Sequence, residues 1–367
     1  MTKKIELSAG QVPEIGASQI ELLEKLCNAT GVSGDEHEVR QIVLEEIKLV
    51  ADDVKVDALG NVLATRFGRG EQRVRIMLAA HMDEIGFMIV KKHEDALFEF
   101  VRVGGIDERQ LPGKPVLVGR EGLPGVIGAK PIHMTTAKER QNKIEQSALR
   151  IDLGPEIGEK VKPGDRATFA TRFAITGPSI RAKALDDRLG VATLIELLKH
   201  VPAGIDLLAA FTVQEEVGLR GARVAAYAFD PDMAVAVDAT PAYDLPHWDE
   251  DDENDRYNTR LDAGPAIYVM DRATIPDQRL VTWLQETAQD AGIPCQLRQP
   301  GGGGTDAGAI HKVRGGIPSV SVSVPIRYAH TAVNLARLDD WANTLRLLHT
   351  ALGRITPDLL AVERRGR

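Results

Sequence analysis

The sequence predicts an α/β protein with a mixed, mostly parallel central sheet flanked by helices and with a small β-barrel inserted into it. Continuous apolar runs such as 207–213 are typical of strands buried on both faces of a parallel sheet. Stretches with helical spacing, such as 18–27 and 189–198, alternate with these runs. Between residues 85 and 178 the pattern changes to short alternating runs broken by glycine and proline, which indicates a small barrel or sandwich.

Composition narrows the class of protein. A chain of 367 residues is too long for one ordinary core, so a large domain with a smaller one is expected. The net charge of −8 argues against a nucleic acid or an anionic membrane as partner. Cys27 and Cys295 lie far apart, which indicates neither a disulfide framework nor a thiolate zinc site. The start of the chain lacks an apolar signal core, so we expect a cytoplasmic protein.

The spacing of apolar residues predicts the helices and strands that precede the insertion. Two helices and three strands are predicted there, the helices over 18–27 and 36–50 and the strands over 54–56, 61–66 and 74–80. Ser33 or Asp35 is expected to cap the second helix.

The elements after the insertion restore the alternation of helix and strand. The predicted helices are 189–198, 279–291 and 334–352, and the predicted strands are 207–213, 233–237, 266–270, 296–298 and 319–324. The acidic run 244–256 is interpreted as a solvated loop. The glycines at 301–304 lack the ending of a phosphate loop, so no nucleotide cofactor is expected and a close approach of backbone to substrate fits better.

Potential metal ligands follow the apolar strands. They are His81, Asp186, the adjacent pair Glu215 and Glu216, Asp238, and His330. In open α/β sheets, ligands bind at the carboxyl ends of the strands, so these residues are expected to converge in one crevice. Adjacent acids repel each other unless a positive partner lies between them. Because residues two apart share a face of a strand, Asp83 is expected to reach and orient the ring of His81.

Imidazoles and carboxylates without thiolates suit zinc, cobalt or manganese. Two histidines and three carboxylates are enough for two divalent ions if one carboxylate bridges them, and a remaining carboxylate can then act as general base.

The motifs resemble the dinuclear glutamyl and deblocking aminopeptidases, the tetrahedral "TET" peptidases, some of which are called endoglucanases. The matching motifs are Ala80 to Gly86, Lys183 to Arg188, Val213 to Gly218, Asp238 to Thr240, Gly302 to Ala307 and Arg327 to His330. The resemblance runs from about residue 18 to 355 and implies a zinc-exopeptidase-like fold. It implies a catalytic domain formed by 1–84 and 179–367, with 85–178 as an inserted β-rich dimerisation domain.

The resemblance also implies a role for each candidate residue. Asp186 would bridge two divalent ions, most simply zinc, with one site completed by His81 and Asp238 and the other by Glu216 and His330. Glu215 would be the general base, and Asp83 would orient His81. The implied substrates are short peptides, and the implied assembly is a homo-oligomer in which dimers form a hollow dodecamer.

Two other functions remain open from the sequence. A related dinuclear deacylase of N-acyl amino acids would act on blocked substrates and need no free amine. A non-catalytic scaffold would retain the fold, although the intact Glu215 counts against it. A glucanase fits less well, because the carboxylate pairs of glycosidases work without a dinuclear metal centre.

Overall fold

The computed structural model describes residues 12–70, 73–245 and 259–361. Residues 246–256, and with them most of the predicted acidic loop, lie outside these ranges. The strands are β1 (Asp53–Val56), β2 (Val62–Arg66), β3 (Val74–His81), β4 (Gly86–Lys92), β5 (Leu97–Val103), β6 (Pro115–Val118), β7 (Leu123–Gly128), β8 (Arg150–Asp152), β9 (Arg166–Phe169), β10 (Ala174–Thr176), β11 (Ser179–Ala182), β12 (Ile205–Thr212), β13 (Met233–Pro241), β14 (Ala266–Tyr268), β15 (Gln296–Arg298), β16 (Ser319–Arg327) and β17 (Asn334–Arg337). The helices are α1 (Ala17–Asn28), α2 (His37–Ile47), α3 (Ala137–Gln141), α4 (Leu185–Lys199), α5 (Arg220–Phe229), α6 (Gln278–Ala291), α7 (Ala307–Ile310), α8 (Leu338–Arg354) and α9 (Asp358–Ala361).

The large sheet confirms the predicted α/β class. Its order is β1-β2-β12-β3-β13-β16-β17-β11-β10, with β14 and β15 paired beside β16. The four central strands β12, β3, β13 and β16 are parallel, and antiparallel pairs lie towards both edges. Every residue of β12 is buried, as expected for a strand covered on both faces. The sheet is therefore mixed, with its parallel part in the middle.

Helices cover both faces of this sheet. On one face α1, α2, α4, α6 and α8 pack over a large apolar core, and on the other face α5 and α7 pack over a smaller one. The alternation of β3 explains the two cores, because Ile76 and Leu78 enter the first while Met77 and Ala79 enter the second. Among the helices that the structure describes, none is both long enough and apolar enough to cross a bilayer.

The insertion forms a closed antiparallel barrel in the order β4-β5-β8-β7-β6-β9, which confirms the predicted barrel. It has a core of its own, in which Phe87 meets Phe100 and Phe169 edge to face with ring centroids 5.2 Å apart. The barrel strands run from Gly86 to Phe169. The next strand, β10, pairs with β11 and so belongs to the large sheet.

The closing helix begins later than the sequence predicts. Residues 334–337, expected as the start of a helix over 334–352, form β17, and the helix itself is α8. Strand β17 pairs with both β11 and β16, and Asn334 and Ala336 alternate with less buried neighbours. Pairing with two strands from elsewhere in the chain therefore overrides the local helical pattern.

Candidate metal centre

The candidate ligands meet at one edge of the large sheet. Strands β3, β12, β13 and β16 are parallel, and β11 also runs in their direction because two antiparallel pairings through β17 connect it to β16. His81 ends β3, Glu215 and Glu216 follow β12, Asp238 lies in the second half of β13, Asp186 follows β11, and His330 follows β16. The sheet topology therefore brings the candidate ligands together at the carboxyl ends of the strands, as predicted.

These side chains form two groups, each of which could hold a metal ion. His81, Asp186 and Asp238 form the first, and Asp186, Glu216 and His330 form the second. Within each group the ligand atoms all lie within 4.8 Å of one another. Asp186 belongs to both.

The carboxylate of Asp186 divides its oxygens between the groups. Its Oδ1 lies 3.1 Å from His81 Nε2, which is also 3.7 Å from Asp238 Oδ1. Its Oδ2 lies 3.5 Å from His330 Nε2, which is also 3.5 Å from Glu216 Oε2. This is the arrangement expected of a bridging carboxylate.

Burial of several acids in one place perturbs their protonation. Burial raises the pKa of Glu216 to about 8 and that of Asp238 to about 6, and the charge of Asp186 adds to both shifts. Burial also raises the pKa of Glu215 well above its usual range. The pKa of Asp186 is lowered because, against the effect of burial, hydrogen bonds from the two histidines favour its anion. The cluster thus carries more carboxylates than its two imidazoles can balance.

Asp83 connects the acidic turn after β12 to the end of β3. Its carboxylate accepts the backbone N–H of Glu215 at 2.9 Å and that of Glu216 at 3.2 Å. His81 Nδ1 lies 3.1 Å from the backbone oxygen of Asp83 and 3.5 Å from Oδ1. The hydroxyl of Ser33 donates to Asp83 Oδ2 at 2.6 Å, and α2 has no side-chain cap. Ser33 therefore supports the site. The expectation that it caps α2 is wrong.

The barrel also reaches the site, which the sequence did not indicate. Gly104 and Gly105 follow β5, and the backbone oxygen of Gly105 lies 2.9 Å from His330 Nδ1. A Cβ on Gly105 would lie 3.1 Å from that nitrogen, and Gly104 has φ +85° and lies against Glu216. Two glycines thus allow a close approach that fixes one ring nitrogen of His330 and leaves Nε2 facing the acids.

The donor set fits a pair of divalent ions. It combines imidazole nitrogens and carboxylate oxygens without thiolate, it shares one carboxylate between two groups, and it concentrates negative charge where burial penalises it. A cation between these acids would remove that penalty.

A cavity of about 790 Å³ opens over the cluster. Besides the candidate ligands, it is lined by Glu215, Tyr268, Arg272, Arg298 and the glycines 302–304. The glycine run is therefore close to where a substrate would lie, in keeping with the expectation from the sequence. The two arginines are a feature that the sequence analysis missed.

The comparison with known families assigns a chain with this sheet, barrel and cluster to the hydrolases that act on peptide bonds. The chain belongs to the family described as M42 glutamyl aminopeptidase, which matches residues 60–347. This membership confirms the resemblance found in the motifs and the expected activity of an aminopeptidase.

Individual relatives agree with that membership. The lysyl aminopeptidase of Pyrococcus furiosus is 33% identical over 92% of this chain and 97% of its own length. The TET aminopeptidase of Thaumarchaeota archaeon SCGC AB-539-E09 superposes with a TM-score of 0.87 at 35% identity, covering 94% of this chain and 98% of that one. The TET1 peptidase of Pyrococcus horikoshii, which can assemble into a tetrahedron or a large octahedral shell, gives 0.79 at 35% identity, covering 92% and 100%.

Proposed function

We propose that this aminopeptidase removes N-terminal residues from short peptides by means of two divalent ions. His81 and Asp238 would hold one ion, Glu216 and His330 the other, and Asp186 would bridge them. The observation that carries the proposal is that two compact three-residue groups share Asp186, with one of its oxygens facing each group. Zinc suits these donors, and cobalt or manganese would be tolerated.

Glu215 is the proposed general base. Ions in the two groups would supply Lewis acidity towards the scissile carbonyl and make water a better nucleophile at neutral pH. Glu215 lines the same cavity but belongs to neither ligand group, so its carboxylate is free to accept a proton from the attacking water. A proton that this carboxylate accepts could then pass to the leaving amine. Asp83 would hold Glu215 in place, because the carboxylate of Asp83 accepts the backbone N–H of Glu215.

The test compares Glu215→Gln with Glu216→Gln. In Glu215→Gln we expect kcat for an aminoacyl anilide to fall about 10²- to 10⁴-fold, because a positioned base is lost, while both ions are retained. In Glu216→Gln we expect a loss of bound metal, measured by elemental analysis. Turnover in Glu215→Gln equal to that of the wild type would refute the base assignment.

Two further experiments test whether cleavage depends on metal and whether the substrate needs a free N-terminal amine. A chelator should abolish cleavage, and cleavage that resists chelation would refute metal dependence. N-acetyl aminoacyl anilides should remain uncut, whereas their preferential cleavage would favour a deacylase of blocked substrates.

The same proposal extends to assembly and location. We propose that 85–178 is a dimerisation domain and that dimers build a dodecamer, while 1–84 and 179–367 form the catalytic domain. Exposed apolar side chains on the insertion support a contact role, because Ile132 is 71% and Met134 is 62% exposed. The two free thiols fit the reducing cytoplasm that we propose as the location.

A further inference from the structure

A loop between α1 and α2 lies between the barrel and the candidate metal centre. We call residues 31–36 the support loop. The backbone N–H of Gly31 donates to Glu84 Oε1 at 3.0 Å, and the backbone N–H of Glu84 donates to the oxygen of Gly31 at 2.9 Å. Within the loop, the backbone N–H of Gly34 donates to Glu36 Oε1 at 2.6 Å, and Glu36 is only 3% exposed. Hydrogen bonds within the loop and to the segment after β3 therefore fix the conformation of the support loop.

The support loop contacts the metal centre through the hydroxyl of Ser33. This side chain is buried and donates to Asp83 Oδ2 at 2.6 Å. Asp83 also accepts the backbone N–H groups of Glu215 and Glu216, and its Oδ1 lies 3.5 Å from His81 Nδ1. His81 belongs to one ligand group and Glu216 to the other, so the carboxylate of Asp83 contacts both groups. A charge-assisted hydrogen bond from Ser33 restrains that carboxylate.

The barrel contacts the other side of the support loop. Arg166, the first residue of β9, donates from Nε to the backbone oxygen of Ser33 at 3.3 Å and from Nη1 to that of Gly164 at 2.8 Å. Gly86, the first residue of β4, lies so close to Val32 that an added Cβ would be 2.5 Å from its side chain. Strands β4 and β9 of the barrel therefore pack directly on the support loop.

We propose that Arg166 and Ser33 are positioning residues, through which the barrel holds His81 and the acidic turn after β12 in the geometry that two divalent ions require. Arg166 would act on the backbone of Ser33, and the hydroxyl of Ser33 would act on Asp83. Neither Ser33 nor Arg166 lines the cavity over the cluster, so their effect would not come from contact with the substrate. The inference rests on the proposed function, which places the ions between these ligands.

The charge of Arg166 by itself predicts the opposite effect. A positive side chain repels a cation, so removal of its charge alone would strengthen the binding of a divalent ion. Loss of a positioning contact would weaken it, because partners that orient metal ligands typically contribute about 10- to 100-fold to metal affinity. The sign of the change in Arg166→Gln therefore separates positioning from electrostatics.

The experiment measures the affinity of the metal-depleted full chain for Zn²⁺ by calorimetric titration at one pH. In Ser33→Ala we expect the affinity to fall about tenfold or more, because Asp83 loses a charge-assisted hydrogen bond. In Arg166→Gln we expect a smaller fall, about 3- to 10-fold, because this residue acts at one remove. Ser33→Thr keeps a hydroxyl and should bind Zn²⁺ more tightly than Ser33→Ala.

Two matched controls exclude a general effect of the substitutions. Arg120 is also in the barrel and pairs with Asp35 of the support loop at 3.1 Å, but its side chain is 78% exposed. Ser319 is a buried serine at the opposite end of β16 from the site, where it donates to the backbone oxygen of Ile317 at 2.9 Å. Arg120→Gln and Ser319→Ala should keep the wild-type affinity. An equal fall in Ser319→Ala and Ser33→Ala would overturn the proposal.

A double-mutant cycle tests the connection between the two residues. If Arg166 acts through Ser33, Arg166→Gln should weaken Zn²⁺ binding much less in the Ser33→Ala background than in the wild type. Additive losses, tighter binding in Arg166→Gln, or a wild-type affinity in Ser33→Ala would each overturn the proposal.

Hydrogen exchange separates failure of this inference from failure of the proposed function. If the wild type binds no divalent ion, the proposed function fails, and exchange of the metal-free chain then decides whether the barrel holds the acidic turn. In peptides covering 213–218, the N–H groups of Glu215 and Glu216 should exchange about 3- to 10-fold faster in Ser33→Ala and Arg166→Gln. Arg120→Gln and Ser319→Ala should exchange as the wild type does. Unchanged exchange in the first two variants would refute the positioning role.

Discussion

At the scale of single residues, protonation of the ligands opposes metal binding. Burial disfavours the charged form of His330, yet its hydrogen bond to Asp186 and the charge of Glu216 raise its pKa to about 10. The pKa of His81 is also raised above its usual range, since bonds to Asp186 and Asp238 outweigh burial. With the pKa of Glu216 raised to about 8, several ligand atoms carry protons at neutral pH in the metal-free protein. A divalent ion must displace those protons.

This competition predicts the sign of a pH effect. Protons and metal occupy the same atoms, so the affinity of metal-depleted protein for Zn²⁺ should rise as pH rises from 6 to 8, by about tenfold or more per pH unit. Calorimetric titration at pH 6, 7 and 8 gives the affinity, and buffers of different ionisation enthalpy give the number of protons released. An affinity independent of pH would contradict these pKa shifts.

At the scale of elements, a buried ionic cluster joins the barrel to the large sheet. We call Glu84, Lys183 and Arg188 the junction cluster. Lys183 Nζ donates to both carboxylate oxygens of Glu84 at 2.8 and 2.9 Å, and Arg188 Nη2 lies 3.4 Å from Glu84. Thr168 of β9 and the backbone N–H of Gly31 also donate to Glu84. All three charged side chains are at most 2% exposed, so removing Lys183 leaves the buried Glu84 carboxylate with only the 3.4 Å contact to Arg188 as a charged partner among the described residues.

Lys183→Met should therefore destabilise the protein strongly. We expect a loss of about 3–5 kcal/mol, seen as a thermal midpoint lower by roughly 4–7 °C. The matched control is Lys160→Met, because Lys160 and Glu121 pair at 3.0 Å with both side chains exposed, and surface ion pairs contribute about 0–1 kcal/mol. Differential scanning calorimetry measures both variants. Equal midpoints for the two would show that the junction cluster adds no more than a surface pair.

At the scale of the whole molecule, assembly follows from the proposed role of the barrel. The similar Pyrococcus horikoshii TET1 peptidase can assemble into a tetrahedron or a large octahedral shell. A tetrahedron has six edges, so one dimer on each edge accounts for twelve chains. If this chain does the same, exposed apolar residues on its barrel become buried between copies.

Sedimentation tests that assembly. Twelve chains of 39.9 kDa give a particle of about 480 kDa, which we expect for the wild type. Placing aspartates at Ile132 and Met134 should produce smaller species, because a charge in an apolar contact is costly. Tyr227→Asp, on exposed Tyr227 of α5 in the catalytic part, serves as the control. An undiminished mass in the Ile132 and Met134 variant would argue against that contact, and a wild-type monomer would refute assembly.

The architecture was largely predictable because its signals are local. Apolar runs identified the central strands, and the change of texture after Ile85 identified the barrel. The start of α8 was not predictable, because residues 334–337 are a strand only by pairing with β11 and β16. A sequence pattern predicts which face of a helix or strand is apolar. The strands that a short segment pairs with are remote in the sequence, so the pattern does not predict them.

The sequence by itself determined the set of candidate ligands, since each follows an apolar strand and parallel strands bring their carboxyl ends together. Only the tertiary structure decided how those residues share ligands and what surrounds them. The division of the oxygens of Asp186, the contact of Gly105 with His330, and the hydrogen bond from Arg298 to Thr240 each depend on distances between segments remote in the chain. Those distances are set by packing, and packing is a property of the folded chain that local patterns do not contain.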